Sequence, residues 1–529
     1  MSTLTGTGRL LRHLIRRDGR HFLPWIALAT ALPVSSVIVY PQIFPTEQDR
    51  ATLAATIGGN PALGLIFGPA RDLGTVDGFN AWRCLALGGL LAALGAIFAV
   101  TRATRAQEDT GRAELLASGA VGRSSSLAAA VVLALAGSLV LGAVAGTGTV
   151  LAGGGAHASI LLGAGFAATG WLCAGIAAVA AQLGSTARAA NSIAVAAFGL
   201  MFLLRGVLYS LEAPEWTTWA NPLGWVAETQ PATLDRWWPL APVLALALVL
   251  VAVAFVLRGR RDYGVGFIAI RPGRARGRIR GSWGLILRLN RGPIVTWTIS
   301  FIAVGAILGH FAASVHDILD SNAAVQQILA AGATTPVGLV EEFLVTIMSM
   351  IGILASIPGV QTMMKMRTEE AEGRLELLTT SGATRPRYFA GNALLALAAP
   401  SAYMMIGGTL VAGFAASADI GVGFRDAVLQ AAATVPAVWT VVALAVAVTG
   451  LRPGVGILAW AGVLISFTLT ILGPTFELDD AAMAVSPFWH VPRVTAESPD
   501  LTGLLWVAGV TLVLLAAGAV GFRRRDLGR

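Results

Sequence analysis

Lysine is almost missing from this 529-residue chain: Lys365 stands alone, and every other basic residue is arginine. That lysine sits in Met-Met-Lys-Met, without the G-x-x-x-x-G-K-[ST] frame that presents a lysine to nucleotide phosphates, so P-loop ATP binding by this chain is excluded. Charge of either sign is scarce, at 12% of residues against 55% hydrophobic, which leaves too little polar surface for a water-soluble domain of this length. Cysteine is nearly absent as well. Cys84 and Cys173 lie far apart inside apolar runs, where a thiol is a small hydrophobe rather than half of a disulfide. The six histidines (His13, His21, His157, His310, His316, His490) are scattered and lack zinc-ligand spacing, His310 and His316 on one stretch included.

What fills the chain instead is long apolar stretches, each matching the roughly 20 helical residues that cross about 30 Å of hydrocarbon. They predict spans near 22–40, 80–101, 126–149, 157–181, 190–209 and 239–257, then near 293–312, 343–363, 389–415, 427–448, 454–474 and 501–521. The expected fold is an all-α integral membrane protein of about twelve transmembrane helices. The N-terminal arginines precede a full-length apolar segment with no small-residue cleavage site, so a signal peptide is not expected.

The charges are distributed by loop parity. Thirty of the 37 basic residues fall before span one, in the loops after spans two and eight, between spans six and seven (Arg258 to Arg291), in the tail, or at Arg188 and Arg452. The opposite loops carry acids such as Glu47, Asp49, Asp72, Asp77, Glu212, Glu215, Asp317, Asp320, Glu477, Asp479 and Asp480. A positive-inside bias of this kind predicts cytoplasmic termini and a cytoplasmic linker. It also argues against a nucleic-acid partner, because the arginines sit in short loops beside apolar spans rather than on one soluble face.

The sharpest feature is a repeat. Residues 108–116 read E-D-T-G-R-A-E-L-L and residues 370–378 read E-A-E-G-R-L-E-L-L, each followed shortly by Ser-Gly-Ala. Six of the nine positions agree, and both copies follow the second span of their half. Trp25 and Trp297, Asn221-Pro222 and Ser486-Pro487, and Arg260-Arg261-Asp262 and Arg524-Arg525-Asp526 recur at nearly the same offset. The chain therefore reads as two tandem parallel six-span repeats, residues 1–258 and 286–529, joined by an arginine-rich linker over 259–285.

Each motif reads as a short cytoplasmic helix with a Glu-first i,i+4 pair, Glu108–Arg112 and Glu370–Arg374. Gly119 and Gly382 are natural stops, and Thr384 before Arg385-Pro386 marks a restart. Anchoring to anionic lipid would favour arginine here. Carboxylates beside Leu115-Leu116 and Leu377-Leu378 suit docking to another protein instead. Leu10, Leu11, Leu14 and Ile15 interleave with arginines as an interfacial amphipathic helix, and Ile286–Arg291 repeats the pattern. Aromatic-rich segments (Trp216, Trp219, Trp225, Trp237, Trp238; Phe488, Trp489) precede the last span of each half and read as membrane-interface elements.

Together these features resemble the membrane subunits of ABC-2 (type V) exporters, and more narrowly the fused twelve-span actinobacterial permeases for polyketide antibiotics such as tetronasin. The resemblance covers the whole chain in layout, and its most specific part is the duplicated E-x-x-G-R-x-E-L-L. It implies elbow helices at Leu10–Arg17 and Ile286–Arg291, and outer helices at about 211–238 and 475–500. It also implies coupling helices carrying Glu108, Gly111, Arg112, Glu114 and Leu115, and Glu370, Gly373, Arg374, Glu376 and Leu377. Two copies of a separate ABC ATPase would bind ATP and Mg, this chain holding no cofactor, in the plasma membrane of a bacterium. The cargo would be a hydrophobic or amphipathic compound, with Arg83, Arg205, Glu341 and Glu342 beside its path, unless these charges merely snorkel to the outer interface.

The rival reading is an ion-coupled carrier of twelve spans. Such carriers bury carboxylates near mid-membrane, where the cost of a charge implies a function. Here the charges within spans (Arg83, Arg205, Glu341, Glu342, Arg425, Asp426) all fall near span ends.

Overall fold

The computed structural model describes residues 3–58, 61–112, 114, 119, 121–210, 213–262, 264–268, 281–321, 336–375, 384–418, 422–472, 479–494 and 500–525. Among these the fold is all α-helical, apart from one parallel bridge between Gly184 and Ile268. The chain divides into two compact units, Met1–Gly273 and Arg274–Arg529.

In the first unit, α1 (Thr7–Asp18) is amphipathic and is separated from α2 (Leu23–Ile43) by a 3-10 turn over Gly19–Phe22. Two shorter helices, α3 (Glu47–Gly58) and α4 (Pro61–Phe67), lead to α5 (Val76–Ala103). Thr75 caps α5, its side-chain oxygen accepting from the Gly78 amide, and Asp77 in the first turn complements the helix dipole. The one-turn α6 (Arg105–Asp109) follows, then α7 (Ser125–Leu151), α8 (Ala156–Leu183) and α9 (Ala187–Ser210). Short helices α10 (Trp216–Trp219) and α11 (Pro222–Ala227) precede α12 (Leu240–Arg260).

α8 forms the core of this unit and packs against α5, α7 and α12. Without a hydrophobic driving force between helices in lipid, close packing of small residues has to supply the attraction. Gly142 on α7 and Gly163 on α8 meet so tightly that a Cβ on Gly142 would sit 2.3 Å from the Gly163 carbonyl oxygen.

In the second unit, α13 (Gly281–Ser321) and α14 (Pro336–Ala371) are followed by α15 (Arg385–Ser417) and α16 (Phe424–Leu451). After α17 (Ile457–Phe467), a short α18 (Asp480–Met483) and a 3-10 turn at Pro487–His490 lead to α19 (Thr502–Arg524). α16 and α19 close on each other at Gly450 and Gly518, where a Cβ on Gly450 would lie 2.1 Å from the Gly518 oxygen.

The repeated marks have local structural roles. Asn221 and Ser486 each cap a short helix with a proline at its start, accepting from the amides of Leu223 and Phe488. Trp25 lies against Gly95 of α5, and Trp297 donates to Gln361 of α14 at 3.1 Å, so each tryptophan joins the first span of its unit to the second.

Two expectations change. The predicted second elbow, Ile286–Arg291, is no separate helix but the opening turns of the 41-residue α13. Pro293 inside α13 cannot donate to the carbonyl of Leu289. The ammonium of Lys365, reaching over from α14, donates to that oxygen at 2.6 Å and to Asn290 at 3.0 Å. The single lysine thus fills the gap the proline leaves. The span expected at 454–474 is also shorter. α17 covers Ile457–Phe467, followed by one π-helical turn, Thr468–Leu472. Among the described residues, eleven helices are long and apolar enough to cross a membrane, and this segment is a shorter apolar helix beside them.

Candidate functional site

Both motifs begin at the end of the long helix that is the second span of their unit. Glu108 lies on α6, which continues α5, and Glu370 lies in the last turn of α14. The helix then stops at the motif glycine. Gly111 and Gly373 take φ of +71° and +72°, the left-handed conformation that suits glycine at a helix C-terminus. Their amides donate to the carbonyls of Glu108 and Glu370 at 3.1 and 3.0 Å. The same sequence has therefore produced the same backbone twice.

That backbone undoes the expected i,i+4 pairs. Because the helix ends between glutamate and arginine, Glu108 does not pair with Arg112, nor Glu370 with Arg374. Arg374 instead pairs with Glu369 at 2.9 Å and with Glu372, on the exposed side of the turn.

The two glutamates point inward. Glu108, with a side chain 7% exposed, receives Arg261 in a two-pronged contact at 2.5 and 3.0 Å. Arg105 adds a bond at 2.7 Å and Arg258 one at 3.1 Å. Arg258 and Arg261 belong to the end of α12, the last span of the unit. Arg261 also donates to Gln182 Oε1 at 2.8 Å, and Arg105 to the carbonyl of Ala181 at 2.8 Å, both near the end of α8.

In the second unit Glu370, 8% exposed, receives both Nη atoms of Arg525 at 2.5 and 2.6 Å. Arg525 follows α19, the last span, and reaches the Thr449 carbonyl near the end of α16 at 3.4 Å. Its guanidinium lies 5.0 Å from the centre of the Phe522 ring, which stacks on Phe389 of α15.

Glu108 and Glu370, named above among the coupling residues, both have their carboxylates held in internal ion pairs. Among the described motif residues, Asp109, Thr110, Arg112 and Glu114 are exposed in the first copy, and Ala371, Glu372, Gly373 and Arg374 in the second. Leu115, Glu376 and Leu377 lie outside the described residues. The partners Arg105, Gln182, Arg258, Arg261 and Arg525 were missed. The signal was present in the repeated Arg-Arg-Asp at 260–262 and 524–526, a duplicated base to match a duplicated acid.

The four candidate pathway residues remain apart in character. Arg205 is buried at 6% exposure rather than snorkelling, donating to the Ile66 carbonyl at 2.9 Å with its guanidinium 4.8 Å from the Phe202 ring centre. Arg83 on α5 and Glu341 on α14 are half-buried, and the side chain of Glu342 lies outside the described residues. No cluster of His, Cys, Asp and Glu suited to a metal occurs among the described residues.

Comparison with known proteins places this architecture. The family described as "Multidrug efflux system permease Rv1217c, C-terminal domain" matches residues 51–257 and 279–523. The multidrug efflux system permease protein Rv1217c of Mycobacterium tuberculosis is 35% identical over 537 aligned positions, covering 99% of this chain and 96% of the relative. The match runs through both units and both motifs, and its subject is a transport protein rather than an enzyme. This chain belongs to the Rv1217c family of multidrug efflux permeases and is a multi-span α-helical membrane protein with a transport role.

Proposed function

We propose that this permease is the membrane subunit of an ATP-driven exporter of the ABC-2 type, with about twelve spans in two tandem parallel repeats and both termini cytoplasmic. Two copies of a separate ABC ATPase bind ATP and Mg and dock on the two motif loops. The observation that carries this reading is the repetition itself: each motif has a left-handed glycine and a glutamate–arginine tie to the end of the last span. Two equivalent loops suit two copies of one motor, and a chain without a P-loop must take its energy elsewhere. In this reading the ATPase meets the exposed parts of each motif, Arg112 and Glu114 in one and Glu372 and Arg374 in the other, and Leu115, Glu376 and Leu377 belong to the same docking motifs in sequence.

The cargo is a hydrophobic or amphipathic compound, a drug or a polyketide antibiotic. The relative's name as a multidrug efflux permease supports this class, and so does the placement of acids in the long helices. Asp77, Glu341 and Asp426 all sit in the opening turns of their helices, leaving mid-span positions uncharged among the described residues. The test is reconstitution in sealed vesicles with a co-purifying P-loop ATPase and a hydrophobic dye. ATP-dependent dye movement that vanishes without the ATPase is expected. Movement by the chain alone on a proton or sodium gradient overturns the proposal in favour of an ion-coupled carrier.

A further inference from the structure

Docking does not explain why the most repeated acid of each motif is turned away from any partner. Glu108 receives four donors on its two oxygens and Glu370 receives two, and neither side chain is more than a tenth exposed. A second protein reaching either carboxylate would have to break these bonds first. We propose that each motif glutamate and the arginine closing the last span form an internal strut that carries displacement of the loop into that span, and that the strut of the first unit is the stiffer. The proposal builds on the reading of the loops as docking points for a motor.

The geometry suits a strut. A two-pronged guanidinium–carboxylate contact fixes orientation as well as distance, because two parallel bonds resist both sliding and rotation. Each strut ends on rigid elements: the last turn of the second span on one side, and the last span's terminus on the other. Each arginine also holds the end of the fourth span, Arg261 through Gln182 and Arg525 through the Thr449 carbonyl. A shift of either loop is therefore delivered to two spans of its own unit, although these partners lie some 150 residues away in sequence.

The two struts differ in charge. One turn before Arg261 stands a second arginine, Arg258, also bonded to Glu108, and Arg105 makes a third. One turn before Arg525 stands Phe522, whose ring lies under the guanidinium instead. The first carboxylate thus sits among three closely held arginines, while the second faces one among the described residues. Exchange of acid and base is possible in the second unit and self-defeating in the first, where Arg105 and Arg258 would remain opposite a new arginine.

The experiment follows from that asymmetry. E370R, R525E and the exchange E370R/R525E are made in the full chain, alongside E108R, R261E and E108R/R261E. Amide hydrogen exchange over residues 102–112 and 366–375 is measured in lipid nanodiscs, and dye efflux in vesicles with the ATPase. Each single variant is expected to raise exchange in its own loop by about tenfold or more and to depress efflux. E370R/R525E is expected to restore both, and E108R/R261E neither. Failure of E370R/R525E to restore protection overturns the strut. Restored protection with efflux indifferent to every variant overturns the transmission role. The exchange measurement needs no ATPase, so a strut that stands while ATP-driven transport fails would count against the motor and not against the strut.

Discussion

Replacing Glu108 with glutamine, compared with the same change at Glu370, tests the charge argument most directly. Glutamine keeps the shape and one acceptor oxygen but removes the negative charge from among Arg105, Arg258 and Arg261. At an effective dielectric constant near 20 and about 4 Å between charges, each lost attraction is worth roughly 4 kcal/mol before solvation is counted. Mutual repulsion among the three guanidiniums is no longer offset, and the net cost of breaking a buried pair is about 3–5 kcal/mol. At Glu370 the loss is smaller. Arg525 keeps the Thr449 carbonyl and the Phe522 ring, and its side chain is 14% exposed, so removing one charged hydrogen-bond partner costs about 1.5–3 kcal/mol. At roughly 2 °C per kcal/mol for a unit of this size, E108Q should lower Tm by about 6–10 °C and E370Q by about 3–6 °C. Thermal unfolding in nanodiscs, followed by tryptophan fluorescence, reads both. A drop for E370Q equal to or larger than that for E108Q refutes the reasoning, as does an E108Q variant that melts with the parent.

Three further outcomes are expected. Lys365→Met removes the ammonium that serves the carbonyl freed by Pro293, and should cost about 1.5–3 kcal/mol, seen as faster amide exchange around residues 286–293 with other helices unaffected. Arg205→Met replaces a buried cation, whose Nε has no partner among the described residues, by an apolar side chain of similar length. Stability should hold or rise by about 1 kcal/mol or more, and a loss of efflux at unchanged Tm would place Arg205 in the transport path instead. Gly142→Leu drives a side chain into the Gly163 backbone and should destabilise by about 1–3 kcal/mol or more, whereas the same change at Gly199, which has open space around its Cβ position, should be silent in the same melting assay.

Much of this molecule can be read along the chain because the signals are local or periodic. Asn221-Pro222 and Ser486-Pro487 are cap-and-start dipeptides, and both act as such. Thr384 before Arg385-Pro386 marks the start of α15 at the expected residue. The elbow before span seven and the segment at 454–474 were read less well. Apolar periodicity does not reveal that a lysine 76 residues away will sustain α13 through a proline, or that α17 gives way to a π-turn after Phe467.

By itself the sequence determined the membrane class, the helical fold and the repeated motif, because each is read from composition or from short runs of residues. Only the tertiary structure decided what the motif glutamates do. Their spacing placed them on a helix face beside Arg112 and Arg374, but one glycine in the left-handed conformation ended the helix and turned them elsewhere. The arginines that claim them, Arg261 and Arg525, are brought to them by the packing of the last span of each unit. A carboxylate binds whichever guanidinium the fold delivers, and that delivery is made by helix packing across some 150 residues, beyond the reach of any local pattern.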